Sequence, residues 1–414
     1  MPIVTGTAAA ASSGASAGAD DSIESAYSWR VAGLTLLVTS LSFGAVTAVP
    51  ILLNPMARDW QVSNGTLALV HMSTMFGAAL GSLVLGRLLD RRGFFHIALA
   101  GGIATMLGLI LASTATSLLT LHIAFGLLVG GIGQGAFFSP IAAVLSQWFD
   151  RNRALAIAIS VSGQSIGGLF LPPLLRWGGS VVGWRTTLLI YGIACGVILV
   201  ACAFVFRRMP PAGAGLSGPL MQQAASLTRP RHQFLSLAIC ITAINFSSFM
   251  VIGHLTAYGE ERGFMPLASA FLVSAMLGVA LVSRLAVGPL STRLGKYNVL
   301  LGVSALQLLG VACLVWTKVY VAVMLSAVLV GLGFGGYVPL YAVLVREMFH
   351  ASEAGRRISE IYFFAFIAAG LGSSLGGWLR DQGGHYGLTF QTATCLSAFG
   401  MLILVSRKKS LAAV

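Results

Sequence analysis

Twelve apolar segments, each about 20 residues long, make up most of this 414-residue chain. A helix of that length is needed to cross the roughly 30 Å hydrocarbon core of a bilayer, so each segment can span a membrane. Only 9% of the residues are charged and 57% are hydrophobic, whereas soluble domains carry about 25% charged residues. The sequence therefore predicts an all-α membrane protein with twelve transmembrane helices. The segments lie near residues 31–53, 65–86, 95–115, 119–146, 154–175, 186–206, 235–259, 266–290, 297–316, 320–345, 358–379 and 386–406.

Two motifs recur in the second half of the chain. GRLLDRRG, at Gly86–Gly93, is echoed 202 residues later by GPLSTRLG, at Gly288–Gly295, and GGIGQGAFFSP before the fifth segment is echoed by GLGFGGYVP. Two six-helix halves related by a parallel repeat are typical of transporters in which one half rocks against the other. We predict a disordered cytoplasmic tail at 1–30, an N-terminal half at 31–206, a cytoplasmic linker at 207–234, a C-terminal half at 235–406 and a cytoplasmic tail at 407–414.

The net charge of +13 is distributed in short gaps between the apolar segments. With the N-terminus inside, 18 of the 25 Lys and Arg residues fall in cytoplasmic segments and six fall in outer loops. This bias predicts that both termini are cytoplasmic and that the protein is a multi-pass component of the plasma (inner) membrane. The basic residues do not cluster on a polar domain, so nucleic acid is not an expected partner. All five cysteines lie in apolar segments, and no metal site, disulfide framework or cofactor is indicated.

Arg284 is the remaining basic residue and lies inside the eighth segment. An arginine at a helix centre costs about 2.5 to 3.5 kcal/mol on membrane-insertion scales, so such residues usually face a partner, a cavity or a substrate path. The alternative is that the side chain extends toward the cytoplasmic headgroups, because Arg293 follows after roughly 13 Å of helix. We predict that Arg284 is a binding residue.

The repeat and the loop after the second segment closely resemble the major facilitator superfamily. The loop motif of that family matches at Gly86, Asp90, Arg91 and Gly93. The resemblance implies a conformational latch, in which the glycines permit close approach of helices and Asp90 accepts from a neighbouring helix end or arginine. The alternative is a solvated basic turn that only sets the topology.

A narrower resemblance covers the fifth segment and the loop before it. WFDRNRALAIAISVSGQSIGG, from Trp148 to Gly168, and the following GWR at Gly183–Arg185 are similar to monocarboxylate transporters and oxalate:formate antiporters. The resemblance places Arg284 where these families bind substrate, and a guanidinium fork matches a carboxylate bidentately. Oxalate transporters add a lysine on the eleventh helix, whereas this chain has no basic residue from Ile361 to Leu379, which favours a monoanion.

Several other side chains are candidates for lining a central cavity, although packing or contacts between helices explain each of them equally well. Proton coupling is assigned to Glu261, where related transporters often have Asp, with a solvated loop acid as the alternative. No carboxylate lies deep within a segment, and His71 and His254, near the outer ends of their segments, are not assigned as relays. The cavity candidates are Phe138, Gln164, Asn245, Tyr337 and Tyr341.

No catalytic motif is present, so the chain is not expected to be an enzyme. The predicted function is secondary transport of small monocarboxylates such as lactate or pyruvate, coupled to protons, by rocking of the two halves. The expected partners are a small organic anion, a proton and the lipid bilayer; the oligomeric state is left open. The alternatives are an exchanger or exporter of other organic anions or hydrophobic compounds on the same fold, and a membrane receptor that does not transport.

Overall fold

The structure is a computed structural model that describes residues 24–149, 152–208, 231–348 and 351–406. Most of the predicted N-terminal tail (1–30), most of the predicted linker (207–234) and the predicted C-terminal tail (407–414) lie outside the described residues. Helices begin at Ala26 and at Arg231, within the ranges predicted as tail and linker. Twelve helices are long and apolar enough to cross a membrane, and no strand occurs in the described ranges. The prediction of a twelve-helix all-α membrane protein is therefore confirmed.

We label the twelve helices α1 to α12 in chain order. A further short helix, Leu53–Trp60, follows α1, and α4 is built from four consecutive stretches. The bounds are α1 Ala26–Ile51, α2 Asn64–Arg92, α3 Phe94–Ser113, α4 Leu118–His122 with Ile123–Gln134, Gly135–Phe137 and Ser139–Trp148, α5 Arg153–Val181, α6 Trp184–Val205, α7 Arg231–Glu261, α8 Pro266–Leu294, α9 Lys296–Trp316, α10 Tyr320–Met348, α11 Ala351–Gly383 and α12 Gly387–Ser406.

Serine side chains cap the starts of three helices in the first half. Ser25, Ser63 and Ser117 each accept a hydrogen bond from the backbone N–H three residues later, at 3.2 to 3.3 Å. The first N–H groups of a helix have no partner within the helix, so a serine at this position both satisfies one of them and fixes where the helix begins.

The two halves repeat the same packing. In the N-terminal half α1 packs on α5, α2 on α4 and α3 on α6, and in the C-terminal half α7 packs on α11, α8 on α10 and α9 on α12. Gly93 and Gly295, which are 202 residues apart, both adopt positive φ (+72° and +82°) between equivalent helices, a conformation that favours glycine. The sequence repeat is therefore a structural repeat.

The halves meet through two helix pairs, α2 with α11 and α5 with α8, and α1 also contacts α7. We call the end of the bundle that contains Ser25 and Ser406 the proximal end and the opposite end the distal end. Buried residues are concentrated in α1 and α7, where 78% of the most apolar stretch lies inside the protein. The interface between the halves is thus the place where a buried site can form.

Helices α4 and α5 differ from the sequence-based expectation in ways that bear on the interface between the halves. Ile123–Gln134 in α4 is π-helical, and α4 breaks at Phe138, where ψ is −81°. Helix α5 continues to Val181 through two prolines, so the prediction that its segment ends near residue 175 and leaves Arg176 in an outer loop is wrong. The added length keeps Arg176 inside the bundle.

Candidate functional site

Arg284 on α8 is buried in the interface between the halves, with 7% of its surface exposed. Its Nη1 donates a hydrogen bond of 2.8 Å to the backbone oxygen of Val161 on α5, in the opposite half. This contact turns the guanidinium toward the other half rather than along α8 toward the exposed Arg293.

The guanidinium of Arg284 is only partly satisfied. Its Nε is buried and has no hydrogen-bond partner among the described residues. Tyr337 on α10 and Tyr362 on α11 lie close enough to interact with its charge, and no carboxylate among the described residues forms an ion pair with it. Since nearly all buried polar groups in proteins are hydrogen-bonded, the Nε of Arg284 is a donor that is available to a ligand.

A polar network positions Tyr337 beside Arg284. The Tyr337 hydroxyl donates to Asn245 Oδ1 at 2.9 Å and lies 3.1 Å from Ser248 Oγ. Asn245 Nδ2 in turn donates to the Ala365 oxygen on α11, and Gln307 on α9 donates to Ser248 Oγ at 2.8 Å. Two predicted residues, Asn245 and Tyr337, are thus bound to each other.

Phe138 brings the N-terminal half to the same region. Its ring packs against Phe366 at 4.8 Å and Tyr362 at 5.6 Å between centroids, both on α11 in the other half. Gln164, which is half-buried, lies one turn from Val161 and one turn from Gly168, both of which contact α8. Both candidates therefore face the interface near Arg284.

Tyr341 has different neighbours. It is 1% exposed, and its hydroxyl donates to the Cys240 sulfur at 3.0 Å, within the C-terminal half. This places its polar atom between α7 and α10, away from the interface contacts made by Arg284 and Phe138.

The predicted latch is described only in part. Among the described residues, a Cβ at Gly86 would meet nothing within 4 Å, so no described helix approaches this glycine closely. Gly93 ends α2 with positive φ, and the side chains of Asp90 and Arg91 lie outside the described residues.

Glu261 ends α7 at the distal end and binds within its own half. Its Oε1 accepts from the backbone N–H of Tyr386 at 3.1 Å, and its Oε2 accepts from Arg380 Nε at 3.3 Å. These contacts join α7 to α11 and do not cross the interface.

The neighbouring Glu260, which the sequence analysis did not predict as a site residue, contacts the other half across the interface. Glu260 forms a 2.6 Å ion pair with Arg176 of α5, with side chains 9% and 7% exposed. Asn54 also donates to Glu260, at 2.8 Å. A buried ion pair across the halves holds the distal end together here, beside a cavity of ≈ 220 Å³ lined by Asn54, Ala57, Arg58, Asn64, Ala257, Glu260, Glu261, Arg380 and Tyr386. The sequence signal that could have predicted this ion pair is the presence of acidic residues at the end of one segment and of an arginine at the end of another.

Comparison with known proteins gives consistent matches along the chain. The family model of the Major Facilitator Superfamily matches residues 34–325 and 235–412. Monocarboxylate transporter 13 of Rattus norvegicus is 30% identical over 340 residues, 80% of this chain and 76% of that protein. Monocarboxylate transporter 11 of Mus musculus is 26% identical over 397 residues, 93% of this chain and 88% of that protein.

The fold is also similar to solved transporter structures. A bacterial homolog of the human lysosomal transporter Spinster, in an inward-facing and unoccupied conformation, aligns with a TM-score of 0.68 at 16% identity. The alignment covers 94% of this chain and 96% of that one. With the sequence matches, these findings show that the chain is a transporter of the major facilitator superfamily, and that within it the protein is monocarboxylate-transporter-like.

Proposed function

We propose that this protein is a secondary carrier of small monocarboxylates of the lactate and pyruvate type, coupled to protons, with the substrate carboxylate bound by Arg284. The observation that carries the proposal is the buried guanidinium, which donates to Val161 and whose Nε has no partner among the described residues. Relatives named monocarboxylate transporters support the substrate class.

The charge balance favours a monoanion. A guanidinium has five N–H donors in a planar fork, and a carboxylate can accept two of them in parallel. One carboxylate neutralises Arg284, whereas a dianion would bring a second charge to a site where α11 offers no basic residue from Ile361 to Leu379. An uncompensated charge in this interior is costly, so dicarboxylates are disfavoured.

The position of Arg284 also fits rocking of the halves. Its hydrogen bond to Val161 joins α8 to α5, and Phe138 packs on α11 across the same interface. A substrate bound at Arg284 would replace or adjust contacts that hold the halves together, which is the requirement for a ligand to shift a conformational equilibrium. In this proposal Tyr337 and Asn245 line the site, Gln164 and Phe138 close it from the other half, and Tyr341 serves packing.

The bias in Lys and Arg supports cytoplasmic termini and a plasma (inner) membrane location. In that orientation the distal end faces outward, and Asp90 and Arg91 lie on the cytoplasmic side, where they would act as the latch.

The proposal is tested by uptake of labelled lactate into proteoliposomes under an imposed pH gradient. We expect Arg284→Ala to lower uptake by about tenfold to a hundredfold, because hydrogen bonds to charged groups contribute about 1.5 to 3 kcal/mol. Arg284→Lys should recover little of it, because an ammonium lacks the bidentate geometry.

Arg293→Ala is the matched control, since Arg293 is on the same helix but exposed, and it should transport like wild type. Equal uptake by wild type and Arg284→Ala would remove Arg284 from the mechanism. Competition by unlabelled pyruvate, but not by dicarboxylates or cationic dyes, is expected; the reverse pattern would favour an exporter or exchanger of other compounds.

A further inference from the structure

Two histidines lie on either side of one serine near the distal end. His71 on α2 and His254 on α7 are both 0% exposed. His71 Nδ1 lies 2.9 Å from the Oγ of Ser373 on α11, and His254 Nε2 lies 2.7 Å from the backbone oxygen of Ser373. Since α2 belongs to one half and α7 and α11 to the other, Ser373 connects the two rings across the interface.

Each ring uses only one of its nitrogens. A carbonyl oxygen can only accept, so His254 Nε2 is the donor of its bond, and the neutral ring carries a lone pair on Nδ1. That Nδ1 is buried and has no partner in the described part of the chain, and the same holds for Nε2 of His71. Buried polar atoms are rarely left without a partner, and those that are call for an explanation such as a role in proton chemistry. The two imidazoles therefore have sites to exchange protons.

Glycines shape the space around this cluster. A Cβ at Gly376 would lie 2.8 Å from Cδ2 of His254, and a Cβ at Gly253 would lie 2.5 Å from Ser373 Oγ. Both distances are shorter than side chains tolerate. The absence of side chains at these two positions lets α7 and α11 close around the ring and the serine.

A polar path leads from the distal cavity to the cluster. The His254 ring packs on the Tyr386 ring at 5.4 Å between centroids. The Tyr386 hydroxyl accepts from Asn64 Nδ2 at 3.1 Å, and both residues line the cavity. Water that enters this end when the halves separate would thus reach polar groups that border the cluster.

The charged groups around the cluster act on it only at a distance. His254 faces His71 from α7, and Asp381 and Arg380 on α11 act on His254 at longer range. On α4, His122 binds Ser73, and α1 carries ionisable groups only in its first two turns at the proximal end. The distal carboxylates are engaged elsewhere, Glu260 with Arg176, Glu261 with Arg380, and Asp381 with the Gly65 N–H. No carboxylate among the described residues contacts either ring.

We propose that the His71–Ser373–His254 cluster binds the coupling proton, an inference that rests on the proton-coupled transport proposed above. The bond from His71 to Ser373 crosses the interface, so separation of the halves at the distal end breaks it and exposes His71 to water. A ring nitrogen lone pair then takes up a proton. When the distal end closes, the ring is buried again where no carboxylate contacts it, and the proton passes to water that enters from the opened proximal end. Glu261, whose contacts lie within one half, has no comparable link to rocking.

The test measures opening of the distal end against pH, without substrate. Ala257, which lines the distal cavity and is 2% exposed, is replaced by cysteine in the full-length protein. Labelling by a maleimide is quantified at residue 257 by mass spectrometry and divided by the rate for free cysteine at each pH. Acidification from pH 7.5 should speed labelling, by up to about tenfold per pH unit for one linked proton.

His71→Gln and His254→Gln keep a hydrogen-bonding side chain that does not titrate, and each should flatten this pH dependence while labelling like the parent at pH 7.5. The exposed His385 supplies the control, because His385→Gln should keep the parental slope. A flat parental profile, or a parental slope in both His71→Gln and His254→Gln, would overturn the proposal.

Uptake in proteoliposomes separates this inference from the function on which it rests. If wild type carries lactate, His71→Gln should retain exchange at equal pH but lose stimulation by a pH gradient, and retained stimulation would count against the cluster. If wild type carries no monocarboxylate, the proposed substrate is wrong, and the labelling experiment still decides whether the histidines respond to protons.

Discussion

Tyr337 and Tyr341 lie one turn apart on α10, yet their hydroxyls bind different partners. Tyr337 binds Asn245 and Ser248 and lies within range of the Arg284 charge, whereas Tyr341 binds the Cys240 sulfur. The pair is therefore a natural control for assigning polar groups to the substrate site. A substitution at Tyr341 removes the same hydroxyl group one turn away, where that group does not contact the site.

We predict that Tyr337→Phe raises the KM for lactate more than Tyr341→Phe does. Loss of the Tyr337 hydroxyl leaves Asn245 Oδ1 without its donor beside Arg284, and a buried polar group without a partner costs about 1 to 3 kcal/mol. A sulfur acceptor is weak, so Tyr341→Phe should change KM little. The measurement is the concentration dependence of uptake, and equal KM values for the two variants would remove Tyr337 from the site.

At the scale of single residues, the sequence identified Arg284 because charged residues are rare inside the apolar segments. Arg284 is recognisable because a cation deep in an apolar segment is costly. Glu260 and Arg176 were not recognised, because a charge at a segment end is ordinary in a membrane protein and only the extension of α5 brings Arg176 inside. His71 and His254 are likewise single polar residues in sequence, and only tertiary packing places both beside Ser373.

Among the helices, glycines control how closely α8 and α10 approach. A Cβ at Gly331 or Gly335 would collide with the backbone oxygen of Met276 or Ala280 on α8. Small residues at contacts of this kind let helix backbones approach in membranes. These two glycines are therefore contacts between α8 and α10.

We expect Gly335→Ala to destabilise the protein and Gly288→Ala to be neutral or stabilising. The Gly335 Cβ would force α10 away from the Ala280 backbone, whereas a Cβ at Gly288, on exposed α8 surface, meets nothing within 4 Å. Alanine also favours a helix over glycine by about 1 kcal/mol. Thermal unfolding in detergent compares the two, and an equal Tm for both variants would show that the α8–α10 contact is not tight.

The π-helical stretch of α4 is a feature that the apolar pattern of the sequence does not predict. Its residues, Ile123–Gln134, read as an ordinary apolar helix with glycines. Where it meets α2, a Cβ at Gly77 or Gly81 would collide with the backbone oxygens of Gly126 and Gly131. The local sequence predicts the helix, but the winding within it depends on contacts with a partner that the local sequence does not specify.

In the whole molecule, the repeat made the architecture predictable from sequence, because equivalent motifs 202 residues apart require equivalent helix pairs. The interface between the halves was less predictable. It depends on which faces of α2, α5, α8 and α11 meet, and helices that are apolar on all sides carry little information about which face is covered.

The whole-molecule prediction concerns the ion pair that closes the distal end. We expect Glu260→Ala to open this end, measured as faster labelling of cysteine introduced at Ala257. Removing one partner leaves Arg176 as an unpaired buried charge, which costs about 3 to 5 kcal/mol and is relieved when the halves separate. Arg176→Ala/Glu260→Ala should restore much of the closure, because neither charge is then left unpaired.

The matched control is Asp59, which pairs with Arg185 within one half, with side chains 47% and 41% exposed. Exposed pairs contribute at most about 1 kcal/mol, so Asp59→Ala should leave labelling nearly unchanged; equal labelling in Glu260→Ala and Asp59→Ala would mean that the buried pair does not hold the halves together.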